Sequence, residues 1–315
     1  MDLPSYGELP VTPGAPDGSS WGLWGPDDRL GTLNLLTPER VLRAAQLIRR
    51  GAVFPLDWDW SLPDPPLFGR QPMVHRVVDG GGDFVDDVID AYNTQSSSQW
   101  DGFRHVAVGG QLYNGLGHDD HGVDHWARKG IVGRGVLVDI AAYRAAQGRP
   151  LALDRPEDVG ADELLAILEH EQVTVETGDV LLVHVGYTQW YLGLDQATRT
   201  KIGSIRAPRC PGLRAGRDMV ALLWDLHIAA VASDTPSFEV APFSRGLSAD
   251  EEQSSYATLH HNLLPLLGVP IGELWDLAAL AADCADDGVY ECFLTSSPIK
   301  VRNGVGSPPN ALAIK

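Results

Sequence analysis

The chain reads as a single α/β domain, and three observations carry that reading. Two short apolar runs bounded by glycine, Gly135-Val-Leu-Val-Asp-Ile140 and Gly178-Asp-Val-Leu-Leu-Val-His-Val-Gly186, have the length and composition of buried strands. Segments with a helical apolar period, Asp162 to His170 and Arg214 to His227, lie between and after them. Strand and helix signals alternate along the chain, with no internal repeat and no linker to divide it. The organisation expected is an irregular arm over residues 1–31 followed by one domain over 32–315.

The arm is rich in proline and glycine and carries Trp21 and Trp24, which must pack on the body or on a neighbouring subunit. Thr37-Pro38-Glu39 supplies an N-cap, a proline at the first helical position and an acid in the first turn. The helix it opens is expected to run through Val41, Leu42, Ala45 and Ile48 to Gly51. Alternation from Val53 to Trp60 predicts a half-buried strand, and the proline-rich stretch 61–72 a loop. Further on, Ile228 to Asp234 reads as a strand, 258–268 as a strand or short helix, and Ile271 to Ala282 as a helix. Tyr290 to Thr295 and the apolar C-terminus complete the strands.

Composition removes several function classes. The 24 basic and 42 acidic residues give a net charge of −18, which argues against nucleic acid and anionic membranes as partners. Cys210, Cys284 and Cys292 are odd in number and lack metal-type spacing, so neither a disulfide framework nor a zinc knuckle is indicated. The first residues have no basic and apolar signal pattern, and no apolar run approaches a membrane span. The expected setting is cytoplasmic.

One stretch carries more polar chemistry than a core needs: Asn93-Thr-Gln-Ser-Ser-Ser-Gln-Trp-Asp-Gly-Phe-Arg-His105. Gln99 and Asp101 are two apart, so on an extended segment both point to one face. Gly102 allows a turn that brings the His105 imidazole back toward them. Acceptors around one titratable base can activate a water or a hydroxyl. A polar turn between strands accounts for the same residues.

The order of segments resembles the cyclase family that includes bacterial kynurenine formamidase and isatin hydrolase. Its motif, His-x-Gly-Thr-His-x-Asp-x-Pro-x-His, lies without gaps on Gln95 to His105. Asp101 matches the aspartate and His105 the last histidine; Gln95 and Gln99 replace two metal-binding histidines. A second element, a histidine followed after eleven residues by a glutamate, matches His261 and Glu273. Further matches are Trp24 to Asn34, Gly133 to Asp139, Gly178 to Val183 and Ser233-Asp-Thr-Pro-Ser-Phe-Glu239.

The resemblance implies a central mixed, barrel-like sheet flanked by helices, of a swivelling β/β/α type. It also implies a divalent ion that activates water, with His105 as general acid and base beside Asp101. The metal set it implies is Gln95, Gln99, Asp101, His261 and Glu273. An amide oxygen is a weak neutral donor, so such a set suits Mn²⁺, Mg²⁺ or Ca²⁺ better than Zn²⁺, and weak or absent binding is expected. No organic cofactor is expected.

Trp60 and Trp100 are candidate walls for an aromatic substrate, and His184 and Asp234 candidate pocket residues. His184 also reads as a satisfied core histidine, Asp234 as a cap, and His260 as structural. The His118–His125 run reads as a surface loop that could reach the pocket. The partners expected are a small-molecule substrate and further copies of the chain, in a homodimer or homotetramer. The functional expectation is acid/base chemistry on a small cyclic or aromatic carbonyl compound, by hydrolysis or by cyclisation and dehydration. The alternative is a catalytically silent member that binds a small aromatic ligand.

Overall fold

The computed structural model describes residues 3–205, 208–242 and 257–315. Its strands are β1 Val53–Pro55, β2 Val74–Gly81, β3 Phe84–Ala91, β4 Gln99–Asp101, β5 Ile131–Asp139, β6 Asp158–Val159 and β7 Val180–His184. After them come β8 Gly212–Leu213, β9 Ala230–Ser233, β10 Ile271–Glu273, β11 Glu291–Ser296, β12 Gly306–Ser307 and β13 Ala311–Ile314. Nine form one mixed sheet in the order β1-β13-β11-β5-β7-β9-β10-β4-β12, curled and flanked by helices.

At the centre, β5, β7, β9 and β10 run parallel, with helices in the connections. Every residue of β7 and β9 is buried, which is why these strands read as unbroken apolar runs. The helix Ala161–His170 turns Leu164, Ile167 and Leu168 inward, and Arg217–Asp225 does the same with Met219, Val220 and Leu223. Fully burying each such side chain stabilises the fold by about 1.5–3 kcal/mol. Among the described residues no helix is long and apolar enough to cross a membrane.

The structure corrects four local expectations. The first helix stops at Ala45, buries Ala44 and leaves Leu42 69% exposed. Only Val53–Pro55 of the expected strand pairs, with β13. Residues 271–273 are a strand rather than the start of a helix, which begins at Ala278. Wedged between β9 and β4, this segment is held by sheet pairing on both sides, and that overrides its helical period. Lastly, β2 and β3 form an unexpected hairpin that, among the described residues, pairs with no other strand. Its Val77, Phe84 and Val85 are 64%, 75% and 70% exposed.

The N-terminal arm belongs to the body. Trp21 is buried and its Nε1 donates to the Pro265 carbonyl at 2.7 Å. Trp24 meets Trp224 edge-on, with ring centroids 6.5 Å apart. Both tryptophans therefore pack within their own chain.

Candidate active site

The centre of the site follows from sheet register. In the antiparallel pair β4·β10, Glu273 lies opposite Gln99, Gly272 opposite Trp100, and Ile271 opposite Asp101. Alternation then places Gln99, Asp101 and Glu273 on one face and Trp100 on the other. Gln99 Nε2 donates to Glu273 Oε2 at 2.7 Å and reaches both Asp101 oxygens at 3.4 Å. Gln99, Asp101 and Glu273 are all buried.

Beyond β4 the chain turns back through a bond from His105 N–H to the Gly102 carbonyl, 2.9 Å. A side chain at 102 would place its Cβ 2.6 Å from the Val305 carbonyl oxygen, so crowding rather than φ requires glycine there. The turn delivers His105 to the same face. Its Nδ1 lies 3.0 Å from Gln95 Nε2, and that same amide nitrogen donates to Asp101.

A short helix, Leu259–Asn262, capped by the Thr258 hydroxyl, supplies the facing wall. Here the register of the histidine pair is the correction. His260 points into the cluster: Nδ1 donates to Glu239 at 2.7 Å, and Nε2 lies 3.1 Å from Glu273 and 3.6 Å from Asp101. His261 instead bonds Thr258 through Nδ1. A helical turn rotates adjacent residues by about 100°, so His260 enters the carboxylate cluster while His261 lines the same cavity from beside Thr258.

Two further residues join. Glu239 is fully buried and accepts from His260, and Arg70 reaches in from the proline-rich loop. The Arg70 guanidinium donates to the Gln99 side-chain oxygen at 3.3 Å and to the Gln95 carbonyl. Glu239 was visible in its motif without a role; nothing in a proline-rich loop marks Arg70.

These groups set one another's charge. Burial pushes His260 toward neutrality, but Glu239, Asp101 and Glu273 outweigh it and raise the imidazole well above its ordinary value. For Asp101, burial opposes ionisation, and His105, His260 and Arg70 override it to hold the carboxyl well below the carboxylate range. Glu273 is raised to about 7, first by burial and then by the charge of Asp101. On His105 the attraction of Asp101 is outweighed by burial and by the cations His260 and Arg70, which lower it. At an effective dielectric of ~20, unit charges 4 Å apart interact by about 4 kcal/mol. An imidazolium at 2.7–3.6 Å is therefore the main offset to three carboxylates.

His105, His260, Glu239, Glu273, Arg70 and Phe68 line a cavity of about 320 Å³, the size of a small ring compound. Possible ligand atoms of Asp101, His105 and His260 all lie within 4.8 Å of one another, close enough to hold a metal ion.

Other candidates lie apart from this cavity. Trp100 is buried behind β4, edge-on to Trp275, and donates to the Ser296 hydroxyl. Trp60 stacks on Tyr92 beside a cleft at the root of the hairpin. His184 lies between Asp139 at 2.9 Å and Asp234 at 4.0 Å, at the carboxyl ends of the parallel strands. Asp234 accepts from Val185 and Gly186 N–H, both at 2.8 Å, and so caps the helix Tyr187–Leu192. His121 is buried and bonded to the Tyr113 carbonyl, while His118 is exposed; the 118–125 run does not converge.

The family model described as "Putative cyclase" matches residues 34–240. A solved structure described as a novel cyclase shares 31% identity and a TM-score of 0.78, over 94% of this chain and 99% of its own. The chain belongs to the cyclase family. Isatin hydrolase A from Labrenzia aggregata, bound to benzyl benzoate, matches at 18% identity and TM-score 0.59, over 86% of this chain and 94% of its own. An isatin hydrolase bound to the product analogue thioisatinate matches at 15% and 0.56, over 88% and 98%. These two share the fold. No curated protein sequence matches the chain.

Proposed function

We propose that the protein is an enzyme acting on a small cyclic or aromatic carbonyl compound by proton transfer, without a tightly bound metal ion. The observation that carries this is the position of His260, whose two nitrogens face three buried carboxylates, Glu239 on one side and Asp101 and Glu273 on the other. A proton on His260 supplies the positive charge that this arrangement demands.

The donor set fits a zinc or manganese ion poorly. Asp101 and Glu273 can only accept hydrogen bonds while ionised, so the –NH₂ ends of Gln95 and Gln99 face them. The Gln99 oxygen is thereby turned to Arg70, whose fixed charge opposes a second cation in the same space. The two motif imidazoles are amides here, and the remaining candidates, Asp101, His105 and His260, could take an ion only if His260 gave up the proton it shares with Glu239 and Glu273. His261, expected among the ligands, is turned to Thr258.

What remains is an acid/base pair on the cavity wall. Near neutral pH His105 is mostly neutral, and Glu273, raised to about 7, is shared between its ionised and protonated forms. One takes a proton from the substrate while the other returns one to the departing or newly formed oxygen. Arg70 holds an anionic or carbonyl oxygen. Such a site suits ring closure, dehydration or isomerisation, and hydrolysis of an activated cyclic amide or lactone. The ionisable groups on the cavity wall favour an enzyme over a silent ligand binder.

The test is turnover on a panel of small cyclic amides, lactones and their open-chain acids. Removing His105 with His105→Ala should cost roughly 10²–10⁴ in rate. Unchanged turnover would sink the assignment.

Self-association is proposed on new ground, since Trp21 and Trp24 are taken up within the chain. The isolated β2–β3 hairpin exposes Val74, Val77, Phe84, Val85 and Ile89. A lone two-stranded hairpin is marginally stable in water, so a second copy is the cover proposed. A monomeric mass in solution would rule this out.

A further inference from the structure

We infer that Gln95 fixes the neutral His105 imidazole with its proton on Nε2, so that His105 begins the reaction as a hydrogen-bond donor to an oxygen of the ligand. This rests on the acid/base reading above and assigns the direction of the first proton transfer.

The argument is one of donors and acceptors around a single amide nitrogen. Gln95 Nε2 contacts both an Asp101 oxygen and His105 Nδ1, the latter at 3.0 Å. A buried carboxylate paired with His260 is an acceptor, so the group facing it is the –NH₂ end of Gln95. An –NH₂ group has two hydrogens and no acceptor capacity. One hydrogen goes to Asp101, and the other points at His105 Nδ1, which must present its lone pair. The neutral ring then carries its hydrogen on Nε2.

The amide is held in that place. Its backbone N–H donates to Asn93 Oδ1 at 3.0 Å, and its carbonyl accepts from Arg70. Gly306, opposite Asp101 in β12, leaves room that no other residue would: a Cβ there would lie 2.5 Å from Gln95 Cγ. Gln95 is thus a positioning residue, and a glutamine does here what a carboxylate or carbonyl could not. An acceptor beside Nδ1 would draw the proton to Nδ1 and leave Nε2 as a base.

The consequence is a substrate class. His105 on the cavity wall presents N–H, beside the Arg70 guanidinium, so the bound compound offers an oxygen acceptor there: a ring carbonyl or a carboxylate. Glu273 is then the group that accepts the substrate proton. The Nε2–H stays on the ring and donates a hydrogen bond to the oxygen on which charge develops, and Glu273 delivers the proton it took to that oxygen before product release.

The experiment is long-range ¹H–¹⁵N correlation on protein labelled at its histidines, with His105 assigned by its loss in His105→Asn. The expected pattern is a pyridine-type shift at Nδ1 and a pyrrole-type shift at Nε2; the reverse pattern overturns the inference. In Gln95→Glu the neutral form should change to Nδ1–H, and in Gln95→Met the two forms should mix. An unchanged pattern in both folded variants would show that Gln95 does not set it. Benzoate, as a simple aromatic oxygen acceptor, should shift the His105 Nε2 resonance in the parent protein and lose that effect in Gln95→Glu. No shift in the parent overturns the ligand assignment. The readout needs no turnover, so an inactive protein with Nε2–H would refute the catalytic reading alone.

Discussion

His260 Nε2 lies 3.1 Å from a Glu273 oxygen, while the neighbouring His261 is turned to Thr258. Removing His260 leaves Glu239, Asp101 and Glu273 without their shared cation. His260→Ala should therefore destabilise the protein by roughly 3–5 kcal/mol, the range for breaking a buried ion pair from one side. His261→Ala should stay within about 0.5–1 kcal/mol, as it loses only a bond at a helix cap. Denaturant unfolding of the two variants checks this, and equal losses would contradict the register.

The site also predicts the direction of a pH effect. Glu273 ordinarily titrates at 4.5, and burial together with Asp101 raises it to about 7 in the folded protein. Between those values the folded state keeps a proton that the unfolded chain has released. Stability should thus fall as pH rises from 4.5 to 7. His260, raised well above 6.5, adds a contribution that is full below 6.5 and is lost as pH rises through its folded value. Glu273→Gln should flatten the fall between pH 4.5 and 7, read as melting temperature against pH. An unchanged slope would show that Glu273 is not raised.

The position of the sequence arm gives a separate test. Trp21 is buried and bonded to the Pro265 carbonyl, so Trp21→Ala should cost about 3–5 kcal/mol, the usual range for deleting a buried large aromatic. The mass of the folded variant in solution should not change. A shift in mass without loss of stability would place Trp21 in a subunit interface instead.

Close packing at Gly306 is tested by Gly306→Ala. Its Cβ would meet Gln95 at 2.5 Å, and overpacking of this kind typically costs about 1–3 kcal/mol. A substitution without effect on stability would mean that Gln95 moves freely.

Much of this site could be read from the sequence because it lies on local periodicities. Gln99 and Asp101 share a face because a strand alternates, and the same alternation sends Trp100 behind the sheet, against its expected place near the substrate. The His260 register is illegible in the sequence because it depends on whether 258–268 is extended or helical, and the spacing to Glu273 points to His261, which lines the same cavity without entering the carboxylate cluster. Arg70 and Glu239 reach the site by tertiary folding alone, from a proline-rich loop and from beyond β9. The β10 strand was hidden by a helical apolar period that sheet pairing on both sides overrides.

We propose that a proton on His260, rather than a metal ion, balances the carboxylates. Elemental analysis of protein purified without chelator tests this most directly, with Gln95→His/Gln99→His beside it as the variant that restores two imidazoles. The parent protein should hold well under one equivalent of zinc or manganese, and the double variant should gain toward one equivalent. One tightly held equivalent in the parent, lost in His260→Ala, would contradict it.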